Sequence, residues 1–116
     1  MDIRIPPSIK KGCTIAVTAP SFGCTTEPYT SRFNFAKEKF ESLGYKISTG
    51  KTVFKSDGKG ISTDPKNAAR ELEEFYCSDE NSAVISAGGG ELMCETAGFI
   101  DFEKIILSKL HILFCQ

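Results

Sequence analysis

Three consecutive glycines, Gly88-Gly89-Gly90, follow the apolar run Ser82-Ala83-Val84-Ile85-Ser86 and precede Glu91-Leu92-Met93-Cys94-Glu95-Thr96-Ala97. A β-branched run that ends in glycines ahead of a helix-forming segment predicts a strand, a tight turn and a helix N-terminus. Such a turn leaves backbone N–H groups bare and aimed at one point, where a phosphate or an oxyanion can sit. The motif is neither G-x-G-x-x-G nor a P-loop, because no Lys-Ser/Thr pair follows the glycines. Glu91, in the expected first helical turn, suits the helix dipole but repels a phosphate at the same spot. An oxyanion hole tolerates that carboxylate better, since the charge it binds is partial and transient. A ligand-free tight turn, a disfavoured phosphate cradle and an oxyanion hole therefore all remain open for Gly88, Gly89 and Gly90.

Other chemistry-bearing residues are sparser. Ser21 lies in a turn after an apolar run and is a candidate for lining a pocket, with Glu91 as a second candidate on its rim. Cys94 could be a nucleophile near a helix start, where a thiol pKa can fall. Its neighbours Leu92 and Met93 instead favour a buried structural thiol. Glu91 and Glu95 are one helical turn apart and read as a solvated or pocket-rim pair. Asp101 reads as a helix cap. The single histidine, His111, alternates with Leu110 and Ile112 and reads as structural. The five cysteines, Cys13, Cys24, Cys77, Cys94 and Cys115, are odd in number and include no C-x-x-C, which predicts reduced thiols and no metal site.

The elements that must position these residues follow from periodicity and punctuation. Thr14–Thr18 is short, apolar and partly β-branched and predicts a buried strand, which Ala19-Pro20-Ser21-Phe22-Gly23 ends in a turn. Tyr29, Phe33, Ala36, Phe40 and Leu43 recur at spacings of four and three and predict a helix over 29–43 with one apolar face. Gly44 fits the position just past its end. Tyr45–Thr49 predicts a second strand. Residues 50–62 predict an exposed loop, with Thr52-Val53-Phe54 as a short strand within it. Asp64-Pro65 is a helix start, with Asp as N-cap and Pro at the first position, and predicts a helix over 65–76 that buries Ala68, Ala69, Leu72, Phe75 and Tyr76. Ser82–Ser86 is the third strand, a helix follows over 91–97, a helical turn over 102–106, and Leu110–Phe114 starts a fourth strand. Alternating strands and helices predict an α/β domain, with a parallel sheet covered on both faces and ligands gathered at the carboxyl ends of its strands.

With these elements placed, the chain resembles the LD-carboxypeptidases, a family of serine peptidases that includes microcin C self-immunity proteins. The matching stretches come in order: Gly12–Ser21, Phe40–Lys46, Ser62–Leu72, Ile85–Glu95 and Phe99–Ile105. The resemblance runs to about residue 109. It implies a Rossmann-like N-terminal domain and cleavage of an amide bond next to a free carboxylate. Murein tetrapeptides or microcin-like peptide–nucleotide conjugates are the implied substrates. It also implies a Ser-His-Glu catalytic set and casts Gly88–Gly90 as part of the oxyanion and substrate loop. The family's Gly-x-Ser-Asp segment has no counterpart here, where Lys109–Gln116 stands in its place. No catalytic residue is assigned, and His111 does not match the family's histidine. The expectation is a single, incomplete N-terminal-type domain over 1–116, without the C-terminal catalytic domain and inactive by itself. A non-catalytic binding module and one half of a split enzyme are the alternatives.

Composition narrows the partners. A chain of 116 residues with 41% hydrophobic and 25% charged residues is ordinary for a globular domain. A net charge of -1 gives no reason to expect nucleic acid. No apolar run approaches a membrane span and no signal-peptide pattern opens the sequence, so a cytoplasmic protein is expected. No cofactor is expected, and the partner is a peptide-like small molecule. An uncovered sheet edge would invite dimerisation or aggregation and leave marginal stability.

Overall fold

The computed structural model describes residues 5–108 in full and the backbone of 112–114. His111 and Cys115 lie outside the described residues. The chain forms β1 (Thr14–Thr18), α1 (Tyr29–Ser42), β2 (Lys46–Thr49), α2 (Pro65–Cys77), β3 (Asn81–Ser86), α3 (Met93–Ala97), α4 (Phe102–Leu107) and β4 (Ile112–Phe114). The sheet is parallel throughout, in the order β2-β1-β3-β4. The expected α/β architecture, with helices on both faces, is the one observed.

Topology explains how the helices are divided. The step from β1 to β2 runs one way across the sheet, and the steps from β2 to β3 and from β3 to β4 run the other way. Right-handed crossovers then put α1 on one face and α2, α3 and α4 on the opposite face. Packing agrees. Ala16, Leu72 and Val84 form one buried cluster, against which Phe75, Tyr76, Met93 and Ile100 pack. On the other face Val17, Cys24 and Val53 cluster with Phe33, Ile47 and Ala87.

Local signals act as their chemistry dictates. The Asp64 carboxylate accepts from the Asn67 backbone N–H at 3.1 Å and Pro65 opens α2, so the predicted cap is formed. Asp101 caps α4 in the same way, accepting from Glu103 and Lys104. Gly44 has φ +96° just past α1. Its N–H donates to Glu41, the Tyr45 N–H donates to Phe40, and the Phe40 and Tyr45 rings meet edge-on at 6.1 Å. That is a Schellman ending with its apolar clasp.

Two expectations need correction. Thr52-Val53-Phe54 is a turn and not a strand, because Val53 is buried under the end of β1 and pairs with no strand. The 50–62 segment is not uniformly exposed, since Thr52, Val53, Ile61 and Ser62 are buried. The apolar face of α1 is lined up as predicted, yet no residue of α1 is buried. Among the described residues α1 is the single helix on its side of the sheet, so Tyr29, Phe33 and Phe40 border an open groove with Val17, Ile85 and Ala87.

Leu72 is 3% exposed at the centre of the better covered face, whereas Phe35 on α1 is 73% exposed. Leu72→Ala should cost about 3 kcal/mol. Phe35→Ser should change stability by less than about 0.5 kcal/mol. Urea unfolding of the two variants checks this, and equal losses would contradict the burial described here.

Candidate functional site

The carboxyl ends of β1 and β3 lie side by side, and the loops leaving them meet. The loop after β1 is fixed by its backbone. Ala19 N–H donates to Thr52 Oγ1 at 2.8 Å, and the Ala19 carbonyl accepts from Ser62 Oγ at 2.5 Å. The Pro20 carbonyl accepts from Thr96 Oγ1 at 2.6 Å, and the Ser21 carbonyl from Ser62 N–H at 2.7 Å. Beneath them the Glu71 carboxylate gathers donors. Thr18 Oγ1 donates to it at 2.5 Å, the Thr52 hydroxyl also donates to it, and Thr52 N–H donates at 3.3 Å. Glu71 comes from α2, so this one side chain ties the helix to the strand end and to the turn after β2. Gly50 lies so close that a side chain there would meet the Glu71 carboxylate at 2.7 Å.

The glycine turn is held at its two ends only. Ser86 Oγ donates to the Gly88 carbonyl at 2.6 Å, and the Gly90 carbonyl accepts from Met93 N–H at 3.4 Å. The N–H groups of Gly88, Gly89 and Gly90 have no acceptor among the described residues. Gly90 has φ +151°, and a side chain on it would collide with Ser21 Oγ. Ser21 is 1% exposed, and its hydroxyl has no hydrogen-bond partner among the described residues. Gly88–Gly90 border the apolar groove beside α1, a cavity of about 770 Å³. The structure thus brings Ser21 and the glycine turn into contact, and the turn, but not Ser21, lines the groove.

Glu91 is exposed and precedes α3, which starts at Met93 and has five residues. The expected helix over 91–97 is shorter by two residues, because Gly90 and Met93 close a turn first. The turn amides therefore gain little from a helix dipole. Cys94 is exposed, not the buried thiol expected, and its Sγ donates to the Glu91 carbonyl at 3.3 Å. Burial pushes the Cys24 thiol above its ordinary pKa. Among the described residues no three His, Cys, Asp or Glu side chains gather as metal ligands. No helix of the described residues is long and apolar enough to cross a membrane.

Sequence inspection missed Thr18, Thr52, Ser62, Glu71 and Thr96. Each is an unremarked polar residue whose partner lies far along the chain, and no local spacing marks such pairs.

The chain is thus an α/β domain with an open glycine turn at the carboxyl edge of a parallel sheet. Residues 15–113 match the model of the LD-carboxypeptidase N-terminal domain, and the chain belongs to that family. It is 31% identical over 100 residues to the "Probable murein peptide carboxypeptidase" of Bacillus subtilis (strain 168), covering 86% of this chain and 30% of that protein. Among solved structures it is similar to the microcin C7 self-immunity protein MccF in an inactive-mutant apo state. There the TM-score is 0.82 at 25% identity over 93% of this chain and 32% of the other. MccF in complex with glutamyl sulfamoyl guanosine matches with a TM-score of 0.82 at 25% identity, over 93% and 31%. The chain spans about a third of the length of these relatives.

Two outcomes are expected from this geometry. Gly90→Ala should destabilise by about 1–3 kcal/mol, from backbone strain and from the collision with Ser21. In a Ser21→Gly background the collision part should vanish, leaving a coupling above about 0.5 kcal/mol in a double-mutant cycle. Strict additivity would mean the two residues do not touch. In the native state at mildly alkaline pH, iodoacetamide should alkylate Cys94 well before Cys24, as peptide mapping would show. The reverse order would contradict the burial of Cys24.

Proposed function

We propose that this chain supplies the glycine-turn side of an LD-carboxypeptidase-type site. The observation that carries this reading is the set of three consecutive backbone N–H groups, at Gly88, Gly89 and Gly90, without acceptors among the described residues. When a nucleophile adds to an amide carbon, the carbonyl oxygen takes up negative charge. Backbone donors at that oxygen lower the barrier by stabilising the charge as it develops. The substrate class is an amide next to a free carboxylate, in murein peptides or in microcin-like peptide–nucleotide conjugates. The names of the Bacillus relative and of the MccF complex support those two classes.

The 116 residues carry no Gly-x-Ser-Asp nucleophile segment. In this reading the serine, histidine and glutamate of the reaction come from outside these residues, and residues 1–116 act as an N-terminal-type domain. A second reading, a binding module without catalysis, is favoured by the apolar groove that leads from α1 to the glycine turn.

Two measurements test the proposal. The purified chain should release no D-alanine from a murein tetrapeptide, and release would overturn the assignment of the catalytic groups. N-acetyl-D-alanine, which joins an amide to a free carboxylate, should shift the backbone amide resonances of Gly88–Gly90 on titration. Shifts confined to other residues would overturn the donor role of the turn.

A further inference from the structure

The Ser21 hydroxyl is buried beside a turn whose middle peptide makes no hydrogen bond. The Gly88 carbonyl is taken by Ser86 and the Gly90 carbonyl by Met93, but the Gly89 carbonyl and the Gly90 N–H have no partner among the described residues. These two atoms belong to one peptide unit, between Gly89 and Gly90. A peptide flanked by glycines on both sides can turn over at little steric cost, since neither residue carries a Cβ. Ser21 Oγ, 1% exposed and without a hydrogen-bond partner, abuts Gly90 and does not line the groove. An unmade hydrogen bond on a buried hydroxyl costs about 1–3 kcal/mol. A second orientation of the turn would recover that cost.

We infer that the Gly89–Gly90 peptide is a two-orientation element and that Ser21 is a positioning residue that latches one of them. In the latched orientation the Gly89 carbonyl turns toward Ser21 and accepts its hydroxyl proton. The Gly90 N–H then turns the opposite way, toward the groove, and joins the Gly88 and Gly89 amides as a third donor to an anion. An anion on the turn and the Ser21 hydrogen bond favour the same orientation, so each strengthens the other. This rests on the proposed donor role of the glycine turn and adds the side chain that sets its geometry.

The two states predict effects of opposite sign for one substitution. Ser21→Ala removes an unsatisfied hydroxyl from the free protein, so its melting temperature should stay the same or rise. The same change removes a hydrogen bond from the anion-bound protein. Its dissociation constant for N-acetyl-D-alanine, read from the glycine amide shifts, should rise about five- to tenfold, the worth of one hydrogen bond. A hydroxyl with a merely structural role would instead lower the melting temperature. In the unaltered protein, a residual dipolar coupling of the Gly90 N–H should change markedly at saturating N-acetyl-D-alanine, a readout that does not depend on the variant folding. Equal affinity in Ser21→Ala, a lowered melting temperature of the free variant, or an unchanged Gly90 coupling would each overturn the inference while leaving the donor role of the turn standing. If the probe shifts none of the three glycine amides in the unaltered protein, the donor role fails and this inference falls with it.

Discussion

The carboxylate of Glu71 is the joint on which the functional edge of the sheet depends. It takes the hydroxyl protons of Thr18 and Thr52 and the Thr52 N–H, so α2, the end of β1 and the turn after β2 meet at one charge. Thr52 spends its hydroxyl proton on Glu71, and its oxygen is then free to accept from Ala19 N–H. Hydrogen bonds to a charged group contribute more than neutral ones, roughly 1.5–3 kcal/mol each when well shielded. Glu71 is only partly buried, so solvent screening reduces that figure here. Its effect is as much geometric as energetic. A loop that leaves a strand end has no ladder to define it, and this one takes its shape from side chains of three other segments.

That fixed loop is what makes the glycine turn a usable surface. Ser62 and Thr96 hold the carbonyls of Ala19, Pro20 and Ser21, which sets Ser21 against Gly90. The turn itself is tied only at Gly88 and Gly90. A firmly held loop and a loosely tied turn therefore meet at this contact. In the proposed donor role, the loop would supply position and the turn would keep its amides for a ligand. The same logic requires glycine at 90 twice over, once for its φ of +151° and once for the hydroxyl that fills the place of a side chain.

Much of the fold was legible because its determinants are local. The run Thr14–Thr18 gave β1 with its observed bounds, and Asp64-Pro65 gave the start of α2. Gly44 marked the end of α1 because only a residue that accepts positive φ can close a Schellman ending there. The failures are equally physical. Val53 has the composition of a strand residue, but it is buried by contacts with β1 and with Cys24, whose N–H donates to its carbonyl at 2.6 Å. Burial without a neighbouring strand leaves a turn. Glu91 and Leu92 have helical propensity, yet the turn closed by Gly90 and Met93 takes them first. The glycines of the site, and Ser21 as their neighbour at the same strand ends, could be named from the sequence, while the direct contact of Ser21 with Gly90 could not. It joins residues 69 positions apart, and only the pairing of β1 with β3 brings them together.

The two faces of the sheet show what a domain of this topology asks of its surroundings. α2, α3 and α4 cover one face and bury Ala16, Leu72 and Val84. α1 alone serves the other, and its apolar side borders an open groove that ends at the glycine turn. The order β2-β1-β3-β4 forces this asymmetry, because every crossover after β2 runs in one direction and so falls on one face. The glycine turn and the open apolar groove are therefore neighbours for a topological reason. In the proposed donor role, a ligand seated in that groove would also reach Gly88–Gly90, so one continuous surface would meet both its apolar part and its charged part. A groove placed on the α2 face could not do this, since the helices there already fill it.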